Sequence, residues 1–249
     1  MKRQAERFGA EVRIGEVTEV DLTRYPLRLN FDGEFLETKT LIIATGATAR
    51  LLDVPGEATF FGKGVSTCAT CDGFFYRGKT VAVVGGGDSA VEEGTFLTRY
   101  ASKVYVVHRR DRLRASQILQ DRAMQNEKIS FIWDTVIEEI LGKEETGVSA
   151  ARLHNVKTGV EEELPVDGAF IAIGHTPTTT LFDGQLKLDT QGYIVTDSRM
   201  HTNLRGVFAC GDCQDHIYRQ AITAAGTGCM AAIEAEKFLA EVEERAYPA

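Results

Sequence analysis

Cys68-Ala69-Thr70-Cys71 places two thiols two residues apart, a spacing at which they can close a disulfide and open it again. The thiolate is the reactive form, and in such pairs one thiol is stabilised as thiolate, its pKa falling from about 8.5 towards 7 or below. Redox exchange is the first chemistry this pair suggests. Asp72 follows directly, where its carboxyl could pass a proton to or from a leaving thiolate, a general-acid role. The run Phe74-Phe75-Tyr76 has two readings: a cover over the sulfurs or a flat cofactor, or a core patch or hinge cover between domains.

Cys210-Gly211-Asp212-Cys213 supplies a second C-x-x-C, and four thiolates raise structural zinc as a rival. The two pairs lie far apart along the chain, unlike the short spacing of a zinc ribbon. Cys210 also follows Val207-Phe208-Ala209 directly, which puts it at a strand end within a sheet. The expectation is therefore no metal. Cys229, in an Ala- and Gly-rich helix, reads as a small buried hydrophobe.

Gly85-Gly86-Gly87-Asp88-Ser89-Ala90 follows an apolar strand and opens a helix, the setting in which a G-x-G-x-x-A pattern binds a dinucleotide. Gly85 permits the tight turn, Gly87 lets the backbone approach a pyrophosphate, and Ala90 keeps helix and strand close. Asp88 and Ser89 open the helix whose N-terminus faces the anion. About 20 residues on, an NAD-specific site would carry an acid for the ribose 2′-hydroxyl. Here the strand ends in His108-Arg109-Arg110, with Arg114 close behind. Cations at that point suit a 2′-phosphate, so NADP(H) is preferred over NAD(H). The alternative is a common glycine turn beside a solvated Arg loop.

These residues need elements to position them. After a short helix at Arg3 to Phe8, partial alternation through Val12, Ile14, Val17 and Val20 suits strands, and Leu27 to Thr38 forms a hairpin around Asp32-Gly33. Leu41 to Ala44 is a short buried strand ending in Thr45-Gly46. Val81 to Val84, a helix from Ser89 to Thr98 and Val104 to Val107 make one βαβ unit. A helix from Ser116 to Asn126 follows, with strands at 129–133, 136–141, 148–155, 160–164 and 170–173. Gly174-His175-Thr176-Pro177 breaks the run. Strands at Tyr193 to Thr196 and Val207 to Ala209 precede a long helix from Arg219 to Glu243.

The 249 residues, 43% of them hydrophobic, suffice for two modest domains. With 28 basic and 36 acidic side chains the net charge is -8, which favours neither nucleic acid nor an anionic membrane surface. No stretch approaches the roughly 18 uninterrupted apolar residues of a membrane span, and the opening residues lack the apolar core of a signal peptide. Five cysteines are too few for a secreted disulfide scaffold. The expected location is the cytoplasm.

Taken together the chain closely resembles bacterial low-molecular-weight thioredoxin reductases. The resemblance rests on Ala44-Thr45-Gly46-Ala47, Cys68 to Phe75, Gly85 to Ala90, and His108-Arg109-Arg110. It continues in Ala172-Ile173-Gly174-His175, Gly206 to Asp212, and Tyr218-Arg219-Gln220-Ala221 leading into Gly226 to Met230. It implies an α/β fold of two Rossmann-like nucleotide-binding domains, each a three-layer ββα arrangement. An NADP(H) domain at 49–171 would be inserted into a discontinuous FAD domain at 1–48 and 172–249. Electrons would pass from NADPH to FAD, to the C-x-x-C disulfide, and on to thioredoxin, within a homodimer.

Carried over residue by residue, the resemblance makes Cys71 the thiol facing the flavin, Cys68 the one that attacks thioredoxin, and Asp72 the proton donor. Asp212 after Gly211 would hold the ribityl and pyrophosphate region of FAD, with Thr45-Gly46 in the same site. Arg219-Gln220-Ala221 would border the isoalloxazine ring. Such reductases begin with a strand and a G-x-G-x-x-G turn for FAD, whereas here the glycines before Gly85 are isolated apart from Gly62 and Gly64. The FAD domain is accordingly expected to be N-terminally truncated. Two other functions stay open: an NADP(H)-binding fragment without catalysis, and a related flavoprotein disulfide reductase with another acceptor.

Overall fold

Val81, Ala82, Val83 and Val84 are all buried, as a strand covered on both faces requires. The computed structural model, which describes residues 2–246, places this strand at the centre of a five-stranded sheet. The order is Val65–Ser66, Gly168–Ile171, Thr80–Val84, Lys103–Val107, Ile129–Ile132, and every neighbouring pair is parallel. Side chains alternate between its two faces. Val81 and Val83, with Val104, Val106 and Phe170, pack on Ala90, Val91 and Leu97 of helix Asp88–Leu97 and on Ala123 of helix Gln117–Met124. Ala82 and Val84, with Val107, Ala169 and Ile171, meet Ile137, Ile140, Val148, Ala151 and Leu153.

Those last five come from an antiparallel meander of Thr135–Lys143, Gly147–Asn155 and Glu161–Pro165. The result is three layers: antiparallel sheet, parallel sheet, helices. Burying each of these Val, Ile, Leu and Phe side chains contributes roughly 1.5–3 kcal/mol, so two apolar seams hold the central sheet between its covers. Register also sets function. Ile171, Val84, Val107 and Ile132 lie level across the sheet, so the segments after them emerge along one carboxyl edge.

This body is one of two compact units, Ala49–His175; the other is Met1–Thr48 with Thr176–Ala249. Ala172 to His175, expected with the flanking segments, therefore group with the inserted unit. In the other unit Val17–Asp21, Leu27–Phe31 and Glu34–Thr38 form an antiparallel sheet. Its turn at Asp32-Gly33 has φ of 49° and 89°, the positive pair that a two-residue hairpin demands. Leu41–Ile43 runs parallel to Val207–Ala209. Val207 and Ala209 pack with Ile43, Phe182 and Ile194, while Phe208 faces Ala231, Ala235 and Phe238 of helix Ala221–Ala246.

Two expected strands are absent as such. Val12 and Ile14 are exposed, and the first strand begins only at Val17. Tyr193 to Thr196 makes no ladder beyond an isolated bridge between Leu188 and Ile194. Most of its amides go to single partners: Tyr193 donates to Asp189 Oδ1, Ile194 to the carbonyl of Cys213, and Val195 to the carbonyl of Lys187.

Candidate active site

Cys68 caps the four-residue helix Ala69–Asp72, and the Cys71 amide donates to its Sγ at 3.2 Å. The two cysteines are joined as a disulfide with their Cα atoms 5.3 Å apart. Asp72 closes the same turn, its amide donating to the Cys68 carbonyl at 3.2 Å. Its carboxylate Oδ2 accepts the hydroxyl of Ser66 at 2.7 Å, and the Ser66 Oγ accepts the Cys68 amide at 3.1 Å. Ser66 is 4% exposed and had no place in the sequence reading. The only signal for it was a hydroxyl two residues ahead of the first cysteine, at the end of a short strand.

The aromatic run divides. Tyr76 is core, packed edge-to-face on Phe170 at 5.0 Å, and burial, then Asp72 and Asp167, push its phenol up. Phe74 and Phe75 stand exposed, Phe74 touching the edge of Tyr100.

Along the carboxyl edge of the parallel sheet lies a cavity of about 590 Å³. Gly85 to Ser89, His108, Arg109 and Arg114 line it, as do Arg50 and Leu52, which the sequence did not single out. Each glycine of the turn has its own reason. Gly85 sits at φ 148°, and a Cβ there would lie 2.6 Å from the Cβ of Ala90. A Cβ on Gly86 would enter the ring of His108, 2.5 Å from Nδ1. Gly87 has open space around it, which leaves the backbone accessible at the start of a ten-residue helix.

His108 is 5% exposed and its Nε2 has no hydrogen-bond partner among the described residues. Burial holds its pKa below the usual value, and Arg114, Arg109 and Arg110 press it further down. Asp88 Oδ1 accepts the Ser116 amide at 2.6 Å, and the Gly86 carbonyl accepts the amides of Arg114 and Ala115. Asp88 thereby ties the arginine loop to the glycine turn. Arg110 lies outside the cavity lining; its carbonyl accepts the Asp134 amide. Glu57, 2% exposed, accepts the amides of Leu52 and Asp53 at 2.9 and 2.7 Å and so fixes the wall opposite. An open helix N-terminus, the guanidinium groups of Arg50, Arg109 and Arg114, and the imidazole of His108 suit a phosphorylated dinucleotide.

In the other unit Thr45-Gly46 and Gly211-Asp212 follow two strands paired in parallel, so they sit side by side at the carboxyl ends. Gly46 and Gly211 have φ of 73° and 69°, and Thr45 Oγ1 donates to the Thr178 carbonyl at 2.5 Å. The half-buried Asp212 carboxylate has no hydrogen bond or ion pair among the described residues, while the Gly211 amide is held by Thr227 Oγ1 at 3.0 Å. Asp215, also missed in the sequence, shapes the segment before the long helix. Although burial opposes it, the amides of Tyr218, Ile217 and Arg219 hold this carboxyl below its usual range. Arg219, at φ 48°, turns its guanidinium onto the His216 carbonyl, and Gln220 and Ala221 lead into the helix.

Cys210 and Cys213 are buried, and burial raises both thiols. Cys213 donates to the Cys210 carbonyl at 3.2 Å. Cys229, expected to be buried, is exposed: it lies on the side of the helix that also leaves Ile222, Met230 and Ile233 uncovered.

Residues 3–228 match the pyridine nucleotide-disulphide oxidoreductase family. A thioredoxin reductase of Streptomyces coelicolor is 51% identical, in an alignment covering 100% of this chain and 78% of the relative. One from Coxiella burnetii is 49% identical over 96% and 77%. The crystal structure of thioredoxin reductase from Streptococcus pyogenes superimposes with a TM-score of 0.91 at 44% identity, covering 96% of this chain and 78% of that one. The enzyme of Giardia duodenalis gives the same TM-score of 0.91 and 44% identity. With its C-x-x-C disulfide beside an aspartate and its glycine turn at the edge of a parallel sheet, the chain belongs to the thioredoxin reductases.

Proposed function

We propose that the chain transfers electrons from NADPH through FAD to the Cys68–Cys71 disulfide and on to oxidised thioredoxin. The observation that carries this reading is the disulfide itself, held on one turn with a carboxylate at its end. NADP(H) is held in the unit Ala49–His175 by Gly85, Gly87, Asp88, Ser89, Ala90 and His108, with Arg109 and Arg114 directed at the 2′-phosphate and Arg110 flanking them from outside the cavity lining. Thr45, Gly46, Gly211, Asp212, Arg219, Gln220 and Ala221 of the other unit would hold FAD, which when bound would supply the two-electron relay between the hydride of NADPH and the disulfide.

Cys71 receives those electrons, and Cys68 is left as the attacking thiolate. Cys68 Sγ attacks one sulfur of the thioredoxin disulfide; that S–S bond breaks, and Asp72 protonates the departing sulfur. Cys71 then attacks Cys68 Sγ, which re-forms the Cys68–Cys71 bond and releases dithiol thioredoxin. Among the described residues no helix is long and apolar enough to cross a membrane. The protein is read as a cytoplasmic homodimer with thioredoxin as partner and no role for nucleic acid.

The test supplies FAD, NADPH and oxidised thioredoxin and counts free thiols. One thioredoxin dithiol should form per NADPH oxidised, and Cys68→Ser should abolish it while leaving NADPH binding intact. A flavin-loaded protein that oxidises NADPH without forming thioredoxin thiols would overturn the proposal.

A further inference from the structure

Ser66 ends the two-residue strand Val65–Ser66 at the edge of the parallel sheet, level with Phe170. A hydroxyl has one proton to give and lone pairs to accept with. Here Oγ accepts the Cys68 amide at 3.1 Å. Its proton has two acceptors in reach, Asp72 Oδ2 at 2.7 Å and the Cys68 carbonyl at 3.4 Å, and the shorter bond to the carboxylate is the stronger. The hydroxyl thus joins the backbone of one redox cysteine to the carboxyl at the end of the same turn.

Asp72 makes no other side-chain hydrogen bond among the described residues, so Oδ2 is committed to Ser66 and Oδ1 is left to carry a proton. The carbonyl oxygen of a protonated carboxyl still accepts a hydrogen bond, a weaker one than the carboxylate oxygen does. The Ser66 contact therefore survives protonation at Oδ1, and the carboxyl need not rotate as the proton arrives and leaves. Being 4% exposed, Ser66 is shielded from water that would compete for its hydroxyl.

We infer that Ser66 is a positioning residue for thiol–disulfide exchange: its hydroxyl holds the Asp72 carboxyl in place against Cys68 so that the proton is delivered from Oδ1. The inference rests on the proposed reduction of thioredoxin and on Asp72 as its proton donor. The electron balance is unchanged: the Cys68/Cys71 dithiol gives two electrons to the thioredoxin disulfide, and Asp72 gives its proton to the first sulfur released.

The experiment needs no flavin. The protein is reduced with dithiothreitol, freed of it, mixed with oxidised thioredoxin, and quenched at intervals with a maleimide-polyethylene glycol that marks new thioredoxin thiols on a gel. Ser66→Ala should slow this single turnover about 10- to 100-fold, the usual cost of a misplaced proton donor. Ser66→Thr, which keeps the hydroxyl, should transfer close to the wild-type rate. In an Asp72→Asn background Ser66→Ala should add little, because the group it positions is already gone.

A wild-type rate in a folded Ser66→Ala protein, an equal slowing in both backgrounds, or a folded Ser66→Thr protein as slow as the alanine variant would each overturn the inference. Reduced wild-type protein that passes nothing to thioredoxin would instead overturn the proposed function.

Discussion

The imidazole of His108 fills the volume that any side chain at Gly86 would need. The middle glycine of the turn is thus fixed by a residue that directly follows the next strand. The ring is buried, so it cannot swing out of the way cheaply. Gly86→Ala should cost about 1–3 kcal/mol through overpacking and should weaken NADPH binding by displacing His108 and the loop that hangs from the Gly86 carbonyl. Urea denaturation and calorimetric titration with NADPH measure the two effects. Gly87→Ala makes the contrast: it meets open space and should leave stability little changed while still obstructing the nucleotide.

The same histidine makes stability depend on pH. Burial, with Arg114, Arg109 and Arg110 adding to it, sets the folded pKa below the ordinary 6.5. The unfolded chain takes up a proton near that ordinary value, the folded chain only at lower pH. Between the two the unfolded state binds more protons, so stability falls as pH drops through 6.5 and stops falling below the folded pKa. Above 6.5 both states are neutral and the contribution is constant. Wild type should therefore lose more stability than His108→Asn on acidification from about pH 7.5 to about pH 5.5. Parallel losses in the two proteins would contradict this.

Much of this site was legible in the chain because its signals are local. Strand, glycine turn and helix follow one another within Thr80 to Leu97, and the Asp32-Gly33 hairpin needs only its own two residues. What escaped depends on contacts between distant segments. Gly86 looks like an arbitrary position until His108 is folded against it. Ser66 is one serine among others until the sheet edge brings its hydroxyl to Asp72. Tyr193 to Thr196 has the composition of a strand, yet Asp189 takes the Tyr193 amide and the Cys213 carbonyl that of Ile194, so its pairing stops at an isolated bridge. Cys229 sits in a small-residue helix that reads as core, but its face of the helix is left uncovered among the described residues.

The cluster of arginines should not act uniformly. Arg109 and Arg114 line the cavity, whereas Arg110 lies outside its lining and offers its carbonyl to Asp134. Arg109→Ala and Arg114→Ala should each weaken NADPH binding about 10-fold or more, the worth of one charge-assisted phosphate contact, and leave NADH binding nearly unchanged. Arg110→Ala should have the smallest effect of the three. Titrating each variant with both nucleotides tests the ranking, and a loss shared equally by NADPH and NADH would remove the 2′-phosphate from the explanation.

Glu57 tests whether the wall of the cavity is built or incidental. Its carboxylate, 2% exposed, accepts two successive amides, Leu52 and Asp53, and Asp53 adopts φ 58°, a conformation that a non-glycine residue holds only when its surroundings compel it. Removing the acceptor leaves two amides competing for water in a half-buried segment, so Glu57→Ala should destabilise the unit by about 2–4 kcal/mol. Glu57→Gln keeps one acceptor oxygen of the same reach and should cost less. Because Arg50 and Leu52 form the wall that Glu57 fixes, both variants should also bind NADPH more weakly, in the same order as their loss of stability. Denaturation midpoints and NADPH affinities that failed to follow one another would separate the carboxylate's structural task from the nucleotide site.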